Sequence, residues 1–266
     1  MKLSEYINQI QQTGRKSFSK DEAVNALHVS PKAFDMSLMR LRKKGVVATP
    51  YKNFHVIVPP EYYSFGCLPA NQLIPMFMEH LKIPYYVCLL SAAELHGAAH
   101  QRSQVFQVMV NKRIRSIHCG KIVVNFIFKK ALSDAPTQVV NMPTGYLRVS
   151  TPEATAMDLL LYTHQSGGIN HIATVLTELI EAINPQKLLQ LARSSTKNSW
   201  VQRLGYIFEN IDPNESTQQA ECIRLLKEHI QQINPSYVVL IERGIKHFSR
   251  NKTWRLIVNT EIESDI

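Results

Sequence analysis

Residues 19–58 read SKDEAVNALHVSPKAFDMSLMRLRKKGVVATPYKNFHVIV, and their order decides the fold. Ser19 opens a short amphipathic helix over residues 20–27. Its side chain can accept a backbone N–H bond, and Asp21 and Glu22 stand where the positive end of the helix dipole favours acids. A tight break follows at His28-Val29-Ser30. Ser30 then caps a second helix, Pro31 to Lys44, with Pro31 in the first turn, where a missing N–H costs nothing. Gly45 suits the left-handed residue that ends a helix, and Arg42, Lys43 and Lys44 complement the negative end. The β-rich run Val46 to Val58 is broken by Pro50-Tyr51-Lys52-Asn53 and reads as a hairpin. Helix, turn, basic helix and hairpin in this order predict a winged helix-turn-helix.

The second helix divides by face. Phe34, Leu38 and Leu41 recur at i, i+4, i+7 and point inward. Lys32, Met36, Arg40 and Lys43 fall on the opposite side, the face that would enter a major groove. Arg40 could read guanine N7 and O6, and Lys32 or Lys43 could meet phosphate. The expected DNA-facing set is Ser30, Lys32, Met36, Arg40, Lys43 and Lys44, with Lys52 and Asn53 from the hairpin. Working outward, Leu3, Ile7 and Ile10 form the inner stripe of a preceding helix that ends at Gly14 and supplies a third helix for the core.

Charge supports a polyanionic partner. The chain has 266 residues and a net charge of +9, carried as +6 over residues 1–60, +5 over 61–150 and −2 over 151–266. Positive charge therefore gathers beside the expected DNA-binding module. The hydrophobic content of 45% supplies a full core. No stretch approaches the roughly 18 apolar residues of a membrane span, and the first residues lack the apolar run of a signal peptide. The cysteines, Cys67, Cys88, Cys119 and Cys222, have no zinc-site spacing and suggest no disulfide framework, so a reduced, cytoplasmic setting is expected.

Pro59 and Pro60 end the hairpin strand, and the sequence divides at residue 62/63: a winged helix-turn-helix over 1–62 and a larger mixed α+β domain over 63–266. In the latter, helices are predicted over 71–81, 85–99, 152–164, 169–183, 185–192, 200–209 and 216–233. Strands are predicted over 105–110, 121–128, 146–149, 237–242 and 254–258. A β-rich part, consecutive helices and closing strands define an α+β class.

Catalytic signatures are missing: no Walker loop, G-x-G-x-x-G, H-E-x-x-H or G-x-S-x-G occurs. His96 and His100 would share a helix face, yet no carboxylate or cysteine completes a metal set on that face; they read as backbone-bonded histidines. Glu153 and Asp158, five apart, do not share a face, and Glu153 reads as a helix-start residue. Trp200, Tyr206 and Phe208 read as core. No enzyme activity, metal or cofactor is expected. A second basic zone comprises Lys112, Arg113, Arg115 and Lys121, with His118, Lys129 and Lys130. It is either a solvated edge that discourages strand aggregation or a contact for nucleic acid or an acidic partner.

Three segments carry a family resemblance: Tyr85–Ala98 (YYVCLLSAAELHGA), Ser150–Leu159 (STPEATAMDL) and Trp200–Tyr206 (WVQRLGY). With the N-terminal module and the closing Trp254–Asn259 (WRLIVN), the chain resembles the AbiEi family from about Leu3 to Asn259. Members are antitoxins and transcriptional repressors of abortive-infection toxin–antitoxin operons. The resemblance implies binding to inverted repeats in the chain's own promoter. It also implies a C-terminal domain that counteracts a cognate nucleotidyltransferase-like toxin, with or without direct contact. The Lys112–Arg115 loop matches no family motif. Two other readings remain: a ligand-sensing winged-helix regulator, and a nucleotide-dependent enzyme or nuclease targeted by the winged helix.

Overall fold

Helix α1 (Leu3–Gln12) turns Leu3, Tyr6, Ile7 and Ile10 inward, on the i, i+3, i+4, i+7 spacing of one helical stripe. They meet Ala23 and Leu27 of α2 (Lys20–Leu27), Phe34 and Leu38 of α3 (Pro31–Lys43), and Phe18, Val47 and Ile57 in one cluster drawn from residues 3–57 alone. Strand β1 (Ser17–Phe18) and the hairpin β2 (Val47–Tyr51) and β3 (Phe54–Ile57) form an antiparallel sheet in the order β1-β3-β2. The computed structural model describes residues 1–98, 104–133, 135–211, 216–242 and 248–262.

The chain divides into two compact units. One comprises Met1–Val87, Gln104–Asp134 and Val139–Arg148; the other Cys88–Ser103, Ala135–Gln138 and Val149–Ile266. In the first, a 3-10 turn (Pro60–Tyr62) leads to α4 (Ala70–Leu81), which continues through a buried Pro75. A six-stranded mixed sheet follows. It comprises β4 (Tyr85–Val87), β5 (Val105–Val110), β6 (Ile117–Cys119), β7 (Ile122–Phe128), β8 (Thr137–Met142) and β9 (Gly145–Ser150), ordered β6-β7-β5-β4-β9-β8. Strand β5 runs parallel to β7, while β4–β5 and β6–β7 are antiparallel. Phe77 of α4 stacks its ring 5.1 Å from Tyr51, 5.3 Å from Phe54 and 5.8 Å from Phe126. One aromatic thus ties hairpin to sheet.

The second unit is helical, with a small terminal sheet. Its helices are α5 (Leu89–Leu95), α6 (Pro152–Leu161), α7 (Ile169–Leu179), α8 (Pro185–Ser194), α9 (Ser199–Ile211) and α10 (Thr217–Ile233). Strands β10 (Val238–Val239), β11 (Ser249–Asn251) and β12 (Leu256–Val258) form the sheet β10-β12-β11. Thr151 and Ser216 cap α6 and α10 through their hydroxyls, and Asn184 caps α8 through its carbonyl oxygen, each satisfying first-turn N–H groups. Trp200, Val201, Leu204, Ile207 and Phe208 of α9 are fully buried. The side chains of α9 hold the terminal sheet. Gln202 donates to the carbonyls of Ser236 and Arg255 at 3.0 and 2.9 Å, and Arg203 donates to Val239 at 3.1 and 3.2 Å. Burial lowers the pKa of that guanidinium.

The fold is α+β, as the sequence predicts, with local departures. The helix expected over 85–99 is instead a strand and a shorter helix. Tyr85, Tyr86 and Val87 pair with Val110, Met109 and Val108, and Cys88 is extended before α5 begins at Leu89. Strand pairing claims Tyr85–Val87, while Ala92 and Ala93 stay helical in α5; Ala99 lies outside the described residues. The strands expected over 237–242 and 254–258 shorten to β10 and β12. Strands β1, β6, β8 and β11 were not expected; three of them span only two or three residues.

Candidate nucleic-acid interface

Helix α3 presents two sharply different faces. Phe34 and Leu38 are 1% and 7% exposed, and Leu41 packs against the same core. Opposite them Lys32, Met36, Arg40, Lys43 and Lys44 are exposed. Ser30 caps the helix, accepting from the Ala33 N–H at 3.3 Å. At the other end Gly45, at φ +74°, lets the Val46 N–H turn back to the Leu41 carbonyl at 3.1 Å, a left-handed stop that a side chain would oppose. The helix carries one acid, Asp35, and Lys20 of α2 neutralises it at 2.7 Å. Met39, also exposed, joins Met36 as an apolar patch among the cations. Sequence reasoning passed over Met39, although its i+3 spacing from Met36 was the available signal.

Before α3, His28 adopts a left-handed conformation (φ 54°, ψ 41°) that ends α2. The hairpin is pinned to α2 by Asn53. Its carbonyl oxygen accepts from the Lys20 N–H at 2.8 Å, and its amide donates to Asp21 Oδ2 at 2.9 Å. Asn53 sits at φ 60°, a conformation Asn tolerates better than most residues. Asn53, expected among the DNA-facing residues, has its carboxamide bonded within the chain, and Lys52 is the exposed residue of the turn. Beneath the hairpin His55 is buried, its Nδ1 3.0 Å from the Thr49 hydroxyl. Its ring packs against Phe18 and Phe34. Burial, aided by the nearby Arg42 charge, holds its pKa down to about 4.

The second basic zone belongs to the same unit. Lys112, Arg113 and Arg115 are exposed between β5 and β6. The Arg113 guanidinium lies 6.0 Å from the Phe128 ring centre, and Lys121 Nζ 5.8 Å from Phe65. His118 and Lys130 are also exposed. Lys129 donates to the Tyr86 hydroxyl at 2.9 Å.

Other candidates resolve into structural roles. His96 Nε2 lies 2.7 Å from the Ser150 carbonyl, while His100 falls outside the described residues. Glu153 is buried and accepts from the Asn184 N–H at 2.8 Å, so it supports the start of α8. Asp158 is buried. Trp200 and Phe208 are core, and Tyr206 is half-buried. Among the described residues, no three of His, Cys, Asp and Glu cluster as a metal set, and no helix is long and apolar enough to cross a membrane.

The chain is thus an α+β protein with an N-terminal helical module that exposes a cationic helix, followed by helices built around the segments quoted above. Residues 85–210 match the family model for the AbiEi antitoxin C-terminal domain, a match that supports an AbiEi-family antitoxin. No curated protein matches it. Its structure is similar to the crystal structure of the RV2827C protein from Mycobacterium tuberculosis, with a TM-score of 0.66 and 15% identity over 96% of this chain and 90% of that one. At this identity the likeness speaks for fold alone. A fainter likeness, TM-score 0.34 and 11% identity over 61% of this chain and 86% of the other, is to an antigenic nucleotidyltransferase-like protein from Paracoccidioides brasiliensis. It is too distant to speak for a shared fold.

Proposed function

We propose that this chain is a cytoplasmic DNA-binding antitoxin that represses its own operon and has no catalysis of its own. Residues 1–62 act as a winged helix-turn-helix domain on an inverted-repeat operator in double-stranded DNA. Residues 63–266 act as the α+β antitoxin domain that counteracts a nucleotidyltransferase-like toxin. The observation that carries the DNA reading is the division of α3: a buried apolar face at Phe34 and Leu38 and an exposed basic face at Lys32, Arg40 and Lys43. A core drawn from residues 3–57 supports a module of its own. In this reading Arg40 meets a guanine edge, and Met36 offers apolar contact to a thymine methyl. Ser30, Lys32, Lys43, Lys44 and Lys52 meet phosphates, which position the protein without reading sequence. Asn53 acts at one remove, by setting the turn that carries Lys52. The family match supports the antitoxin half of the reading.

Binding of the full chain to its promoter duplex and to a random duplex tests this. Arg40→Ala should cost about 1–3 kcal/mol on the promoter and little on random DNA. Lys52→Ala should weaken both alike. Equal losses from Arg40→Ala on both duplexes would remove the base-reading role. Co-expression of the neighbouring toxin gene with and without this chain, scored by growth, tests the antitoxin role separately.

A further inference from the structure

Two segments of the first unit, 65–67 and 119–121, run past each other in antiparallel order. The Lys121 N–H donates to the Phe65 carbonyl at 2.8 Å. One step inward, Gly66 and Gly120 touch so closely that a Cβ on Gly120 would lie 2.9 Å from the Gly66 Cα. Any side chain at Gly120 would force the segments apart. The next opposed pair in this order is Cys67 and Cys119. The two thiols lie within hydrogen-bonding reach of each other, and the close backbone approach beside them brings the pair into the range that a disulfide spans, roughly 4.4–6.8 Å at Cα.

Both thiols are free, and they differ in the way a reactive pair should. Cys67 is fully buried, while Cys119 is partly exposed on β6. Hydrogen bonding from Cys67, with help from the Arg42 charge and a backbone bond at Thr49, pulls the Cys119 thiol pKa down. The same hydrogen bond, with burial, pushes Cys67 up. Cys119 is the one of the two that solvent can reach, and an accessible thiol whose pKa is lowered is the one that attacks oxidants.

We propose that Cys67 and Cys119 form a peroxide-reactive dithiol, in which Cys119 attacks and Cys67 resolves, closing to a disulfide within one chain. The Cys119 thiolate attacks hydrogen peroxide, the O–O bond breaks, and a sulfenic acid forms as the released hydroxide takes a proton to become water. The Cys67 sulfur then attacks the sulfenic sulfur. The S–S bond forms, the S–O bond breaks, and the departing hydroxide leaves as water with the Cys67 proton. The two sulfurs together lose two electrons, and peroxide gains them. An external dithiol reverses the step. Because β6 packs against β2 of the hairpin, the bond would stiffen the unit that holds α3. The proposal stands whether or not that helix binds DNA.

The test treats the full chain with hydrogen peroxide, alkylates the remaining thiols and maps tryptic peptides. Trypsin releases Cys67 within residues 53–82 and Cys119 within residues 116–121. The expected result is a linked pair of these peptides, cleaved by dithiothreitol, while Cys88 and Cys222 stay alkylated as free thiols. Linkage should form several-fold faster in the folded chain than in urea. Cys67→Ser should stop at a dimedone-trapped sulfenic acid on Cys119. The proposal is overturned if Cys67 and Cys119 remain as free as Cys222, if the link joins different chains, or if the urea-unfolded chain reacts as fast. Mapping the unmutated protein decides the matter even if Cys67→Ser folds poorly.

Discussion

Gly205 shows how one missing side chain can set the packing of a whole unit. It lies in α9 against the fully buried Trp254, and a Cβ there would sit 2.1 Å from the indole ring. The indole is itself held, its Nε1 donating to Glu209 Oε2 at 2.6 Å. Gly205→Ala should therefore destabilise by at least about 1–3 kcal/mol through overpacking, despite the better helix propensity of alanine, and lower the thermal midpoint by roughly 2–4 °C per kcal/mol. An unchanged midpoint would mean that the indole can slide away. His55 makes a prediction in pH. Its pKa in the folded chain is about 4, below the roughly 6.5 of an unfolded histidine, so between these values only the unfolded chain takes up the proton. Stability should be level above about pH 6.5 and fall as pH drops toward 4, by on the order of 3 kcal/mol. Arg42, Lys20 and His80 oppose protonation, and Asp35 favours it. His55→Phe should flatten that slope in urea titrations run across the window; an unaltered slope would assign it to other groups.

At the scale of the element, the Asn53 clamp joins the hairpin to α2. Asn53→Gly keeps the left-handed turn and removes two side-chain bonds, for an expected loss of about 1–2 kcal/mol. Asn53→Ala should lose about 1–2 kcal/mol more, because its Cβ opposes φ 60°. Urea midpoints should fall in the order parent, Asn53→Gly, Asn53→Ala; a reversed order of the two variants would discard the backbone account. The helices of this region were legible in the sequence because their signals are local: Ser19 and Ser30 as caps, Pro31 in the first turn, and Phe34 and Leu38 one turn apart. The Asn53 clamp was not, since its partners lie 32 and 33 residues away in the chain. The same reason hid β4. Tyr85–Val87 is a strand only because β5, about 20 residues on, pairs with it, and β1 extends the hairpin sheet with two residues alone.

For the whole molecule, charge is the readable property. Residues 1–60 carry +6 and residues 61–150 carry +5, against −2 beyond, and a groove contact neutralising about 4–6 phosphates per module should give a log–log salt slope of about −4 to −5. A flat salt response in promoter binding would argue that cationic contacts do not drive it. The family segments were readable as motifs, but their structural purpose was not: WVQRLGY and WRLIVN meet only when Gly205 receives Trp254 and Gln202 donates to the Arg255 carbonyl. Nor was the interleaving of the two units, which the chain builds in six alternating segments. That weave bears on synthesis. The first unit draws its last segment from residues 139–148, so a ribosome that has already made residue 87 must add about 60 more before the unit can close, roughly 3–12 s at ~5–20 residues per second. Nascent chains stalled inside that interval would expose unpaired sheet edges, which makes it the stage at which a chaperone would matter most for this protein.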